Sequence, residues 1–107
     1  MYNVHFVIDA KQDLFDIYRY FAMTVSRKHA EGLLKELEEV CLGLENLPHR
    51  GHVPPELQLL GVREYQEIHC RTYRIIYQVF ENDVFIHCIL DGRRDIQELL
   101  QQRLLHE

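Results

Sequence analysis

The sequence predicts an α+β fold, and three observations predict it. Two amphipathic helical patterns come early, separated by a very short link. Three runs rich in β-branched and aromatic residues then follow one another directly. A short strand-like run opens the chain and an amphipathic pattern closes it, giving the order β-α-α-β-β-β-α. At 107 residues there is room for one core, so residues 1–107 are expected to form a single domain.

Asn3 to Ile8 carries Val4, Phe6, Val7 and Ile8 and reads as a strand. Asp9 is a good N-cap, and Gln12 three residues on completes a capping box. Leu14, Ile17, Tyr18, Phe21 and Val25 then share one helical face, which predicts a helix over Ala10 to Val25. Ser26 caps a second helix. Its apolar stripe runs through Ala30, Leu33, Leu34, Leu37, Val40, Cys41, Leu44 and Leu47, with Lys35, Glu36, Glu38 and Glu39 on the solvated side. Pro48 stops it. So short a link makes the two helices an antiparallel hairpin.

His49 to Gly61 is rich in Gly and Pro and reads as a loop, with a short turn at Glu56-Leu57-Gln58. Val62 to His69 is extended in character, and Cys70-Arg71-Thr72 turns the chain. Tyr73 to Phe80 is the strongest strand, Asn82-Asp83 a tight turn, and Val84 to Leu90 the next strand. These runs predict an antiparallel meander packed against the N-terminal helical hairpin, with the first strand beside the last or next-to-last. Asp95 and Glu98 make a capping box for a final helix striped by Ile96, Leu99, Leu100 and Leu104.

Composition excludes several functions. The formal net charge is -5, which suits neither blanket nucleic-acid coating nor an anionic membrane. No apolar run approaches the roughly 18 residues of a membrane span. The N-terminus has no basic start and no long apolar stretch, so no signal peptide is expected and a cytoplasmic location is. Cys41, Cys70 and Cys88 are odd in number and lack a CxxC pair, which argues against disulfides or a zinc knuckle. Cys41 and Cys88 fall on apolar stripes and read as core.

Three groups of residues carry possible chemistry. Arg71 and Arg74 sit at the start of one strand, and Arg93 and Arg94 follow the end of its neighbour. Antiparallel pairing would gather the four at one rim, where guanidinium forks suit phosphate or carboxylate. Pairing with Glu64, Glu67, Asp91 and Asp95 is the alternative. Among seven histidines, His69 and His87 lie on or beside adjacent strands and can serve as general acid or base. No nucleophile motif accompanies them, and His49-x-x-His52 offers too few ligands for zinc, so neither metal nor cofactor is expected. Phe15, Tyr18, Tyr20 and Phe21 crowd helix 1, as a broad core face or as a partner groove.

The phrases DLFDIYRY (Asp13 to Tyr20), LPHRG with PEL (Leu47 to Leu57), YQEI (Tyr65 to Ile68), YRIIYQV (Tyr73 to Val79) and ILDGRRD (Ile89 to Asp95) span most of the chain. In that order they resemble the RelE/ParE superfamily, the toxins of bacterial type II toxin-antitoxin and plasmid-stabilization modules. The resemblance implies a cytoplasmic toxin that inhibits growth and is neutralised by a cognate antitoxin. Leu14, Tyr18 and Phe21 are the residues expected to meet that antitoxin. RelE-like members cut mRNA on the ribosome, and ParE-like members bind and inhibit DNA gyrase without cleavage. The arginines of RelE-type cleavage match Arg74 and Arg94. The basic positions of the preceding strand fall on Tyr65 and Glu67, and the late aromatic falls on Leu100. The GRRD ending and the acidic charge also resemble ParE more than RelE. The expectation is therefore a gyrase inhibitor that recognises its target through Arg71, Arg74, Arg93 and Arg94. The alternative is a ribosome-dependent endoribonuclease using Arg74 and Arg94 with His69 or His87.

Overall fold

β-Branched and aromatic residues alternate along Tyr73–Phe80 and become the central antiparallel strand. The structure, a computed structural model, describes residues 1–93 and 97–105. The elements in order are β1 (Asn3–Phe6), α1 (Ile8–Thr24), α2 (Arg27–Leu42), a 3₁₀ turn (Gly43–Glu45) and the short α3 (Pro55–Gln58). Then come β2 (Tyr65–Cys70), β3 (Tyr73–Phe80), β4 (Asp83–Asp91) and α4 (Gln97–Leu100), which runs into a π-helical turn (Gln101–Leu105). The sheet order is β1-β4-β3-β2.

The meander β2-β3-β4 is antiparallel, as expected, and β1 lies beside the last strand. β1 itself runs parallel to β4, with Val4 opposite Val84 and Phe6 opposite Ile86, so the sheet is mixed. Strand direction depends on how the chain returns through the hairpin and meander, which local pattern does not encode.

α1 starts two residues before the expected position. Val7, extended and without a side-chain cap, occupies the N-cap position, and its N–H still bonds to Ile86 O at 3.1 Å. The helix thus begins where β1 makes its last pairing with β4. Asp9 falls in the first turn, where a carboxylate complements the helix dipole. The Asp9–Gln12 capping box is absent; Gln12 bonds Asp16 instead. Ser26 does cap α2, accepting from His29 N at 3.0 Å. Ala10 and Leu14 of α1 pack with Leu33, Leu37 and Cys41 of α2 and with the sheet. α2 ends at Leu42, short of the expected Leu47. Gly43, a weak helix former, begins the tighter 3₁₀ turn, which buries Leu44 and leaves Leu47 62% exposed.

The sheet is covered on both faces. Tyr73, Ile75 and Tyr77 of β3 pack on the hairpin, while Ile76 packs on the other side with Leu57 of α3 and Leu100 of α4. A bulge in β4 makes this possible. Ile76 pairs with Cys88 and Tyr77 with Ile86, so His87 is an extra residue. Val84 and Ile86 therefore face the hairpin, whereas Cys88 and Leu90 face α4. The C-terminal helix docks on its own sheet. Cys41, Cys70 and Cys88 are buried free thiols, and burial pushes Cys41 and Cys88 up to about 12. Among the described residues no helix is long and apolar enough to cross a membrane.

β1 is only four residues long, so β4 beyond Ile86 lacks a backbone partner on that edge. Asp13 of α1 accepts from Ile89 N at 2.9 Å, and Arg103 donates to His87 O at 2.6 Å. The two side chains also pair with each other at 3.1 Å. An ion pair thus occupies the place where a longer β1 would have continued. Burial raises the Asp13 carboxyl above its usual range, against the lowering by Arg103 and the Ile89 amide.

Candidate functional site

The two-residue turn between β2 and β3 puts Arg71 in the left-handed region at φ 56°. Its guanidinium forks onto Glu36 of α2 at 2.8–3.0 Å, on the hairpin side of the sheet. That contact, against a smaller effect of burial, holds the Glu36 carboxyl below its usual range. Arg93, just after β4, bonds Asp91 at 2.7 and 3.1 Å. Arg71 and Arg93 line one cleft together with Phe21, His29 and Tyr73. A second cleft, between α1 and the β4 edge, joins Arg93 to Asp13, Asp16, Tyr20 and Tyr73.

Arg74 alternates to the opposite face of β3. Its stem runs beside Gly92, where a Cβ would stand 2.9 Å from Arg74 Cγ. Its head turns away to Glu56 of α3, at 2.7 Å from both Nη atoms, and to Glu67 of β2, at 2.6 and 3.0 Å. Glu67 is 1% exposed. The hydrogen bonds to Glu56, with those to Glu67, keep the guanidinium charged well above its ordinary range. The same contacts lower the Glu56 carboxyl. The expected rim of four arginines therefore divides. Arg71 and Arg93 share the hairpin side, Arg74 faces away because β3 alternates, and Arg94 lies outside the described residues, as do Asp95 and Ile96. Each of the three described arginines already holds a carboxylate.

The histidines separate as well. His69 sits opposite Arg74 in the β2–β3 register, with Nε2 3.3 Å from Glu67 Oε1. His87, the bulge residue, bonds Gln78 at 3.3 Å and stacks edge-on with Tyr65. Gln78 is four residues from Arg74 along β3, about 13 Å at strand rise. Burial, then the Arg103 charge, lowers the His87 pKa. Arg74 and His87 thus do not meet over one atom. Sequence reasoning weighs His52 only as a partner of His49 and misses its approach to Glu67. An isolated bridge pairs it with Glu67, His52 N to Glu67 O at 3.2 Å and Glu67 N to His52 O at 2.7 Å, and sets its Nε2 3.2 Å from Glu67 Oε2. Gly51 permits this approach, since a Cβ there would stand 2.5 Å from Glu67 O. No local pattern announces such a bridge; the Gly51-His52 pair in a Pro-rich loop was the available signal.

On the hairpin, Leu14 and Tyr18 line a shallow apolar groove with Phe15 and Leu34. Leu14 is buried, whereas Phe15 is 55% and Tyr20 61% exposed. Phe21 lies apart from that groove, in the clefts beside Arg93.

A family model described as ParE toxin of type II toxin-antitoxin system, parDE, matches residues 4–96. The chain belongs to the ParE toxin family. Membership places it in a type II toxin-antitoxin system and implies an antitoxin partner. The ParE-like fold agrees with a solved structure, the chromosomal ParDE toxin-antitoxin system from P. aeruginosa. That chain is 16% identical, superposes with a TM-score of 0.70, and the match covers 83% of this chain and 94% of the other. Among curated proteins nothing matches the sequence.

Proposed function

We propose that this ParE-family toxin acts by binding and inhibiting DNA gyrase in the cytoplasm, without cleaving nucleic acid itself, and is silenced by its cognate antitoxin. The observation that carries this reading is the state of Arg74. A ribonuclease of the related type needs that arginine as a phosphate ligand, with a base and an acid close by. Here its guanidinium makes four hydrogen bonds to Glu56 and Glu67, His69 is itself turned onto Glu67, and His87 stands well away along the sheet. Arg71 and Arg93 supply target contacts at the hairpin-side clefts, and Arg74 supports that sheet end from behind; Arg94, next in the chain, is proposed as a further target contact. The antitoxin covers the groove of Leu14 and Tyr18 and reaches Phe21, by helix-in-groove packing or strand addition.

The test is a gyrase supercoiling assay with the purified protein. Inhibition is expected, and Arg71→Ala combined with Arg93→Ala should weaken it while far-UV circular dichroism stays unchanged. Unimpaired supercoiling, together with codon-specific mRNA cuts on ribosomes, would overturn the reading in favour of the endoribonuclease.

A further inference from the structure

The backbone bridge fixes His52 directly opposite Glu67, and His69 follows two residues later on the same face of β2. The result is a set of two imidazoles and one carboxylate drawn from a loop and a strand. Their candidate ligand atoms all lie within 4.8 Å of one another. Nε2 of His52 is 3.2 Å from Glu67 Oε2, and Nε2 of His69 is 3.3 Å from Glu67 Oε1. Bonds of about 2.0–2.2 Å in a tetrahedral site place neighbouring ligand atoms about 3.3 Å apart. The two contacts run to different oxygens, so whichever oxygen binds, one separation already matches and the other two lie within 4.8 Å. The two histidine rings meet edge-on at 5.8 Å between centroids, and both side chains are more than half exposed, so rotations of the rings close the remaining gaps.

We infer that His52, Glu67 and His69 form a binding site for one divalent transition-metal ion of the zinc class. The chemistry of the donors selects the ion. Imidazole nitrogen suits zinc, copper or nickel, while magnesium and calcium prefer an all-oxygen shell. The site opens into a shallow cleft lined also by Arg50, Gly51 and Ile68, which leaves the remaining coordination positions to solvent. Arg74 bonds both oxygens of Glu67 from the protein side, where it orients the carboxylate as second-layer partners do around metal ligands. Its positive charge, with that of Arg50 in the cleft, lowers the affinity for a cation. A dissociation constant in the micromolar range is expected, not the tighter binding of an enclosed structural zinc. An ion here would tie the 49–54 loop to β2 more firmly than the bridge, the His52–Glu67 contact and the His49–Gln66 hydrogen bond that hold it otherwise.

The inference does not depend on the cellular target, and its test needs only the isolated full-length chain. Zn²⁺ alone is titrated by calorimetry in a non-coordinating buffer. One equivalent should bind, and His52→Ala and His69→Ala should each weaken binding at least tenfold, while His29→Ala leaves it unchanged. Both variants alter exposed rings, and far-UV circular dichroism checks that they fold. Co²⁺ in place of Zn²⁺ should give visible d–d bands without a thiolate charge-transfer band, because the three cysteines are buried outside the site. No saturable binding up to about 100 µM Zn²⁺ would overturn the assignment. So would one equivalent of binding that survives His52→Ala combined with His69→Ala, or a thiolate band.

Discussion

Replacing Arg74 with Ala removes four charge-assisted hydrogen bonds of 2.6–3.0 Å at once. Glu67, 1% exposed, keeps only its contacts to His52 and His69. Glu56 is 24% exposed and regains water more readily. Breaking a buried pair by deleting one partner costs about 3–5 kcal/mol. Rehydration of Glu56 and the two histidines on Glu67 bring this to about 2–4 kcal/mol. At about 4 °C per kcal/mol for a domain of this length, Tm should fall by about 8–16 °C. The chain has no tryptophan, so far-UV circular dichroism in urea is the suitable probe. Arg74→Lys should fall between wild type and Ala, because one ammonium cannot fork onto both carboxylates. A double-mutant cycle with Glu56→Gln should show a coupling well above the error of additivity, about 0.5 kcal/mol. A loss below about 1 kcal/mol, the size of a solvated surface pair, would refute the reasoning. It would mean that the two carboxylates do not hold the guanidinium, and would restore Arg74 as a candidate phosphate ligand.

Three further outcomes are expected. Asp13→Ala should cost about 1–3 kcal/mol, since the Ile89 N–H loses its acceptor and Arg103 keeps His87 O but loses the Asp13 carboxylate, and hydrogen exchange at the Ile89 amide should quicken. Ser26→Ala should cost about 1 kcal/mol in urea unfolding, the typical value of a lost N-cap. The folded-state pKa of His87 lies below its ordinary 6.5, so the unfolded chain binds the extra proton first. The stability tied to this residue is then complete above that value and is lost as pH falls below it, at no more than about 1.4 kcal/mol per pH unit. Unfolding midpoints compared at about pH 7 and pH 5.5 should show a smaller acid loss in His87→Gln than in wild type.

The elements were legible because periodicity is local. Tyr73–Phe80 was placed to the residue, the Glu56 turn became α3, and Ser26 caps as its sequence suggests. Asp9 misleads, because its capping signal reads the same where β1 pairing with β4 starts the helix two residues earlier, with Val7 as its N-cap. The parallel direction of β1 and the extra residue at His87 are properties of pairing between distant segments, and no window of sequence contains them. The same holds for the site. The rule that antiparallel neighbours bring Arg71 near Arg93 was sound, but it ignored the side alternation that sends Arg74 to the other layer. Glu67 was visible only as a possible ion-pair partner. Its role as the hub for Arg74, His52 and His69 depends on a loop that returns to β2, and Gly51 is what lets it return.

The irregularity at His87 has a consequence for how the gene can vary. Within β4, exchanging one side chain for another of similar size disturbs a single neighbourhood. Dropping the His87 codon is a different event. It would remove the extra residue and restore strict two-residue alternation, with Ile86 and Ile89 still on one layer and Cys88 and Leu90 on the other. Dropping any other codon of β4 while the extra residue stays would send the residues on one side of the gap to the wrong layer, so β4 should accept the loss of one residue at His87 and reject it elsewhere in the strand.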